Sequence, residues 1–241
     1  MMPPTKAEVL GALSGVRDPE LDEPITELGF VSKLEIKDDA VTVRLRLPTY
    51  FCAPNFAYLM VVDARMAALS VPGVRQARVV LDDHHASKEI NSGVNGERGF
   101  EGTFPGETEG EDLEGLRTIF RRKSFIASQE KLCRMLLAEG HTTSAEVAEM
   151  RLGEVTPPGE AFEKYLQRRA ELGLDVSPES PLVVDPDGKS VPKEAVVEHL
   201  RFARTVRVGI EGNAHYCRGL LAARYDSRSA THDDSREEAA L

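Results

Sequence analysis

The sequence predicts an α+β protein: a small α-β-β-α-β domain at the N-terminus, followed by a mainly helical C-terminal region. Three observations carry this. The run Val41-Thr42-Val43-Arg44-Leu45-Arg46-Leu47 alternates apolar and polar residues with the period of a half-buried strand. Phe56, Leu59, Met60, Met66 and Leu69 form a broad apolar stripe with the period of a helix. Beyond a glycine-rich break at residues 91–112, helix caps and glycine stops dominate the punctuation.

Taken in order, residues 5–15 read as a first helix, with Thr5 as N-cap, Gly15 as stop, and Val9, Leu10 and Leu13 on its apolar side. Asp18–Pro24 is an acidic turn. Phe30–Ile36 and Val41–Leu47 form a hairpin around Lys37-Asp38-Asp39-Ala40. A helix runs from about Ala53 to Leu69, with Pro54 in the first turn, where a missing N–H costs nothing. Arg75–Leu81 is the third strand. Gly93, Gly96, Gly99 and Gly102 recur at every third position, but the segment lacks the length and proline of collagen and reads as a linker or flap.

Helices are then expected at Leu113–Arg122 and at Phe125–Ala138, the second ended by Gly140 with His141 beyond it. Thr143 with Glu146 makes a capping box for a short helix, and Glu160–Leu172 is stopped at Gly173. Leu182–Val184 and Ser190–Val191 pair around Asp185-Pro186-Asp187-Gly188. Pro192 opens a helix to about Val208, and Asn213 caps a last one to about Ala223. The expected organisation is therefore a domain at 1–90, a linker at 91–112, a helical region at 113–223 and a disordered polar tail at 224–241.

With 241 residues the chain holds one large domain or two small ones. Its formal net charge of −10 argues against general binding of nucleic acid or anionic membrane. No apolar run approaches the roughly 20 residues of a membrane-spanning helix. The start, Met1-Met2-Pro3-Pro4-Thr5-Lys6, lacks the apolar core of a secretory signal. Three widely spaced cysteines do not suit a disulfide framework, so a reducing cytoplasm is the expected location.

Cys52 is the leading chemical candidate. It lies between a strand and a helix, where free helix amides favour negative charge, and a thiolate binds soft metals and iron–sulfur clusters. The plain alternative is a half-buried cysteine under a turn. Around it, in order, stand Asp18-Pro19-Glu20, Leu28-Gly29-Phe30-Val31, Thr49-Tyr50-Phe51-Cys52 and Val71-Pro72-Gly73-Val74. This ordered set resembles the small metal–sulfur cluster assembly family that includes the SufT and PaaD proteins, over roughly residues 5–82.

The resemblance implies a compact α/β domain and a part in maturing iron–sulfur or other iron enzymes. Cys52 would be the cluster or metal ligand, Asp18 and Glu20 the acidic motif, and Thr49 the turn threonine. In this chain Tyr50-Phe51 stands where the family has Pro-Gly, and the proline falls at Pro54 instead of directly after the cysteine. Members with a long helical extension resemble those that accompany multicomponent diiron monooxygenases. A stable cluster generally wants four protein ligands, so one thiolate points to transient or shared binding of iron or a cluster, in a homodimer or with a client metalloenzyme or assembly protein.

Asp82-Asp83-His84-His85 follows the third strand, and Glu89 lies four residues after His85. His84, His85 and Glu89 are candidate metal ligands, for iron at the Cys52 site or for a metal-dependent hydrolase; the plain alternative is a polar loop ending the strand. Cys133 and Cys217 fall on apolar helical stripes and read as buried structural thiols. No nucleophile elbow, phosphate loop or dinucleotide fingerprint is present, so the expected protein is an assembly factor and not an enzyme, with a scaffold lacking metal chemistry as the alternative.

Overall fold

The computed structural model describes residues 3–106, 113–138 and 143–237. The expected Gly140 stop and His141 lie outside these residues, as do residues 107–112 of the expected linker. The chain divides into two compact units, one of Met1–Glu111 with Asn213–Leu241 and the other of Asp112–Gly212. The small sheet of the first and the helices of the second make the protein α+β.

In the first unit, helix α1 spans Lys6–Leu13 and opens on a capping box, with the Glu8 amide donating to Thr5 Oγ1 at 3.2 Å. Strands β1 (Val31–Lys37) and β2 (Ala40–Arg46) pair antiparallel, Lys37 facing Ala40 across a turn that places Asp38 at φ 56°. Helix α2 (Pro54–Leu69) then carries the chain back so that β3 (Gln76–Asp82) pairs parallel with β2, in the sheet order β1-β2-β3. The alternation read in the sequence is kept: Val41, Val43 and Leu45 are buried, beside Val79, Leu81, Val61 and Ala64.

The glycine-rich segment is built into this unit. Among its described residues, helix α3 (Ser87–Asn95) takes up its start and helix α4 (Gly99–Thr103) follows. Asn91 and Asn95, one helical turn apart, match alternate residues of β3. Asn91 accepts the Leu81 amide at 2.8 Å and donates to its carbonyl at 3.0 Å; Asn95 does the same for Val79 at 3.3 and 2.9 Å. Two side-chain amides thus stand where another strand would pair and satisfy the open edge of β3. At Gly93 an added Cβ would lie 1.9 Å from Thr103 Oγ1, so close packing of α3 on α4 requires a glycine there.

In the second unit, α5 (Leu113–Ala138) is one helix where two were expected, because Lys123-Ser124 contains no residue that stops a helix. Helices α6 (Ser144–Glu149) and α7 (Glu160–Glu171) follow, with 3-10 turns at Leu152–Glu154 and Lys193–Ala195. The expected pairing of Leu182–Val184 with Ser190–Val191 shrinks to one bridge, Val184 with Ser190.

The core of this unit gathers Phe125, Leu132, Cys133, Val147, Tyr165, Leu182 and Val184 around a buried Gln129. The Gln129 side chain accepts the Val184 amide and the Tyr165 hydroxyl, each at 2.9 Å. It donates to the Val184 carbonyl at 3.1 Å and to His199 at 2.8 Å. Cys133 is the structural thiol that its apolar neighbours imply, and burial pushes its pKa up to about 12.

Helix α8 runs Val196–Glu237 and continues through the break expected near Asn213. Each interior glycine costs a helix only about 1 kcal/mol, which the surrounding helix formers absorb. Its first part belongs to the second unit; from Asn213 it belongs to the first. Among the described residues no helix is long and apolar enough to cross a membrane.

Candidate functional site

Parallel strands end on the same edge of a sheet, so the chains leaving β2 and β3 meet. The first, residues 47–53, carries Cys52; the second, residues 83–86, carries the two histidines. Cys52 is half-buried and directly precedes Ala53, the N-cap of α2, and Pro54, its first residue. Thr49 Oγ1 accepts the Phe51 amide at 3.2 Å and lies 3.3 Å from Cys52 Sγ, so its hydroxyl proton is available to the sulfur.

The histidines hold the turn from the other side. Asp83 adopts φ 49°, a left-handed conformation that aspartate tolerates, and this turns both rings back toward residues 50–52. The Ala86 amide donates to His84 Nδ1 at 3.2 Å, so that nitrogen is unprotonated, and Nε2–H donates to the Cys52 carbonyl at 2.8 Å. Burial holds the His84 pKa below its usual 6.5; the Cys52 carbonyl opposes this, while His85 and Arg224 add to it. The backbone amide and Nδ1–H of His85 both donate to the Tyr50 carbonyl at 3.0 Å.

The turn can therefore do without Pro-Gly. Tyr50 and Phe51 point outward, Phe51 78% exposed, and their rings gather around His85 at 6.1 and 5.7 Å. The histidine pair does converge, but on backbone carbonyls: both His84 nitrogens are engaged, and Glu89 lies exposed in the first turn of α3.

In the acidic loop, Asp18 is buried and its Oδ1 accepts the amides of Glu20 and Leu21, each at 2.9 Å. Burial outweighs those two bonds and pushes its pKa up to about 6. Asp18 thus builds the loop that presents Glu20.

The C-terminal part of α8 adds what the sequence reading missed. Asn213 donates to Glu20 Oε1 at 3.4 Å, and Arg218 pairs with Glu23. Leu221 closes on Gly29, where an added Cβ would lie 3.3 Å from its Cδ2. Arg224 donates to the Leu47 carbonyl at 3.0 Å and to the Asp83 carbonyl, tying together the chains that leave β2 and β3. Cys217 lies in the middle of this stripe. It is half-buried, and burial, with the charges of Asp18, Cys52 and Glu20, pushes its pKa up to about 11. The available signal was the spacing 213, 217, 221, 224, one face of a helix.

Among the described residues no three His, Cys, Asp or Glu side chains stand together as a metal-holding group. The arrangement offers thiol sulfur, suited to soft metal ions and iron–sulfur clusters, on a turn fixed by backbone hydrogen bonds.

Fold and site define a small α/β domain that presents a thiol at a strand-to-helix junction. Residues 6–80 match the family model described as iron–sulfur cluster assembly protein. An uncharacterized protein of Methanocaldococcus jannaschii is 32% identical over 88 residues, which cover 36% of this chain and 90% of that protein. The iron–sulfur cluster carrier protein of Deinococcus radiodurans is 37% identical over 71 residues, 30% of this chain but 20% of that protein. At residues 6–80 the chain carries a domain of the iron–sulfur cluster assembly family.

Proposed function

We propose that this protein is an accessory factor that carries iron or an iron–sulfur cluster transiently on Cys52 and passes it to a client metalloenzyme in the cytoplasm. The observation that carries the reading is the Cys52 turn. A half-buried sulfur has the Thr49 hydroxyl beside it, while His84 and His85 hold the carbonyls of Cys52 and Tyr50. A sulfur held this way is oriented before its cargo arrives, and a site with few protein ligands releases its cargo readily. The remaining ligands come from the client or from a second copy of the chain. The second unit serves to dock the client, and a multicomponent diiron monooxygenase is our first choice of client.

Anaerobic reconstitution with iron and sulfide tests this. The wild-type protein is expected to gain a visible cluster absorption that Cys52→Ala abolishes while its circular dichroism is unchanged. Equal iron and sulfide uptake by both proteins would reject Cys52 as the carrier ligand.

A further inference from the structure

We propose that Cys217, on helix α8, is a second thiolate ligand at the Cys52 site, so that one chain grips a thiophilic metal ion between two sulfurs. This rests on the reading of Cys52 as a carrier ligand and extends it to a residue outside the family match at 6–80.

The placement follows from the contacts on either side of Cys217. One turn before it, Asn213 reaches Glu20. One turn after it, Leu221 closes on Gly29, and Arg224 holds the carbonyls of Leu47 and Asp83. Asp83 precedes His84, whose Nε2–H holds the Cys52 carbonyl, so Arg224 and Cys52 are anchored to adjacent residues of one turn. A helix held at both ends of this stripe directs position 217 at the space between the acidic loop and the Cys52 turn. Both thiols are half-buried, whereas Cys133 is buried in the core of the other unit.

Chemically the pair fits. Two sulfurs favour a soft or borderline divalent cation such as Fe2+, Co2+ or Zn2+ over Mg2+ or Ca2+. On binding, each thiol loses its proton to solvent as its sulfur–metal bond forms, so no oxidant or reductant is involved. The ligand count remains below that of a closed site, in keeping with a cargo that must leave. Because α8 supplies the second sulfur, lifting its C-terminal part would open the site to a client.

The test uses the full-length, reduced, metal-free protein. A short bifunctional thiol reagent that fluoresces only when it bridges two sulfurs reports whether the pair is within reach. Co2+ titration reports sulfur ligands directly, through thiolate-to-cobalt charge-transfer absorption. Bridging fluorescence is expected in the wild type and lost in both Cys52→Ser and Cys217→Ser. The charge-transfer intensity at saturation should fall to half in each single variant and vanish in the double one. Cys217→Ala, with circular dichroism, shows that the helix still folds. If Cys217→Ser keeps the full wild-type band while Cys52→Ser loses it, the second-ligand proposal fails and the Cys52 reading stands. A full band in Cys52→Ser overturns both, as does the absence of any band from the wild type.

Discussion

Replacing Asp18 by asparagine isolates the energetics of the acidic loop. The asparagine Oδ1 can still accept the amides of Glu20 and Leu21, each at 2.9 Å in the native loop, but the buried group can no longer ionise. Native Asp18 has its pKa raised from 3.8 to about 6, chiefly by burial. A raised carboxyl pKa means that the folded state binds the proton more tightly than the unfolded chain does. Its contribution to stability is therefore fully present below 3.8 and is lost as pH rises through about 6. A shift of about two units at 1.36 kcal/mol each corresponds to about 3 kcal/mol by pH 8. Urea unfolding of both proteins from pH 4 to pH 8 measures this. The Asp18→Asn variant should be close to the wild type at pH 4 and more stable by roughly 2–3 kcal/mol at pH 8, with most of the divergence between 3.8 and 6. A stability difference that stays constant across that range would refute the reasoning, and a variant less stable than the wild type at pH 8 would reverse its sign. Iron uptake equal to that of the wild type would further separate a loop-building Asp18 from a ligand.

Other perturbations test the remaining parts. Gly93→Ala drives a methyl group into Thr103 and should cost the first unit roughly 1–3 kcal/mol, read as a lower midpoint in urea. His84 has a depressed pKa, so its contribution to stability is present above 6.5 and lost as pH falls through the lower folded value. Its ring resonances should titrate below 6.5 by NMR, and titration above 6.5 would contradict the buried neutral ring. In the second unit, Gln129→Leu leaves the Val184 amide and carbonyl without partners and should cost roughly 2–4 kcal/mol in thermal or chemical unfolding. A near-neutral result would mean that water replaces the lost amide.

Much of the first unit was legible in the chain because its signals are local. Thr5 with Glu8 caps α1, alternation buries Val41, Val43 and Leu45, and Pro54 opens α2. Cys52 at a strand-to-helix junction was equally plain. The helices within the glycine-rich segment were not legible, because glycine spacing carries no helical period. The side chains that fold it, Asn91 and Asn95, act across the edge of β3, and their amides carry no apolar period. The histidines illustrate the same limit. Their closeness to Cys52 depends on β2 and β3 being parallel and ending together, and their partners are carbonyls, which leave no mark on side-chain spacing.

By itself the sequence determined the α+β class, the order of elements around Cys52 and the position of that thiol before α2, because periodicity, caps and helix breakers act within a few residues. Only the tertiary structure decided what surrounds the sulfur. It assigned Asp18 to its own loop and His84 and His85 to the turn, and it brought Asn213 to Glu20 and Arg224 to the chains leaving β2 and β3 from the far end of the chain. The physical reason is that such contacts depend on where strand ends and helix faces meet in space, which no local pattern of residues records.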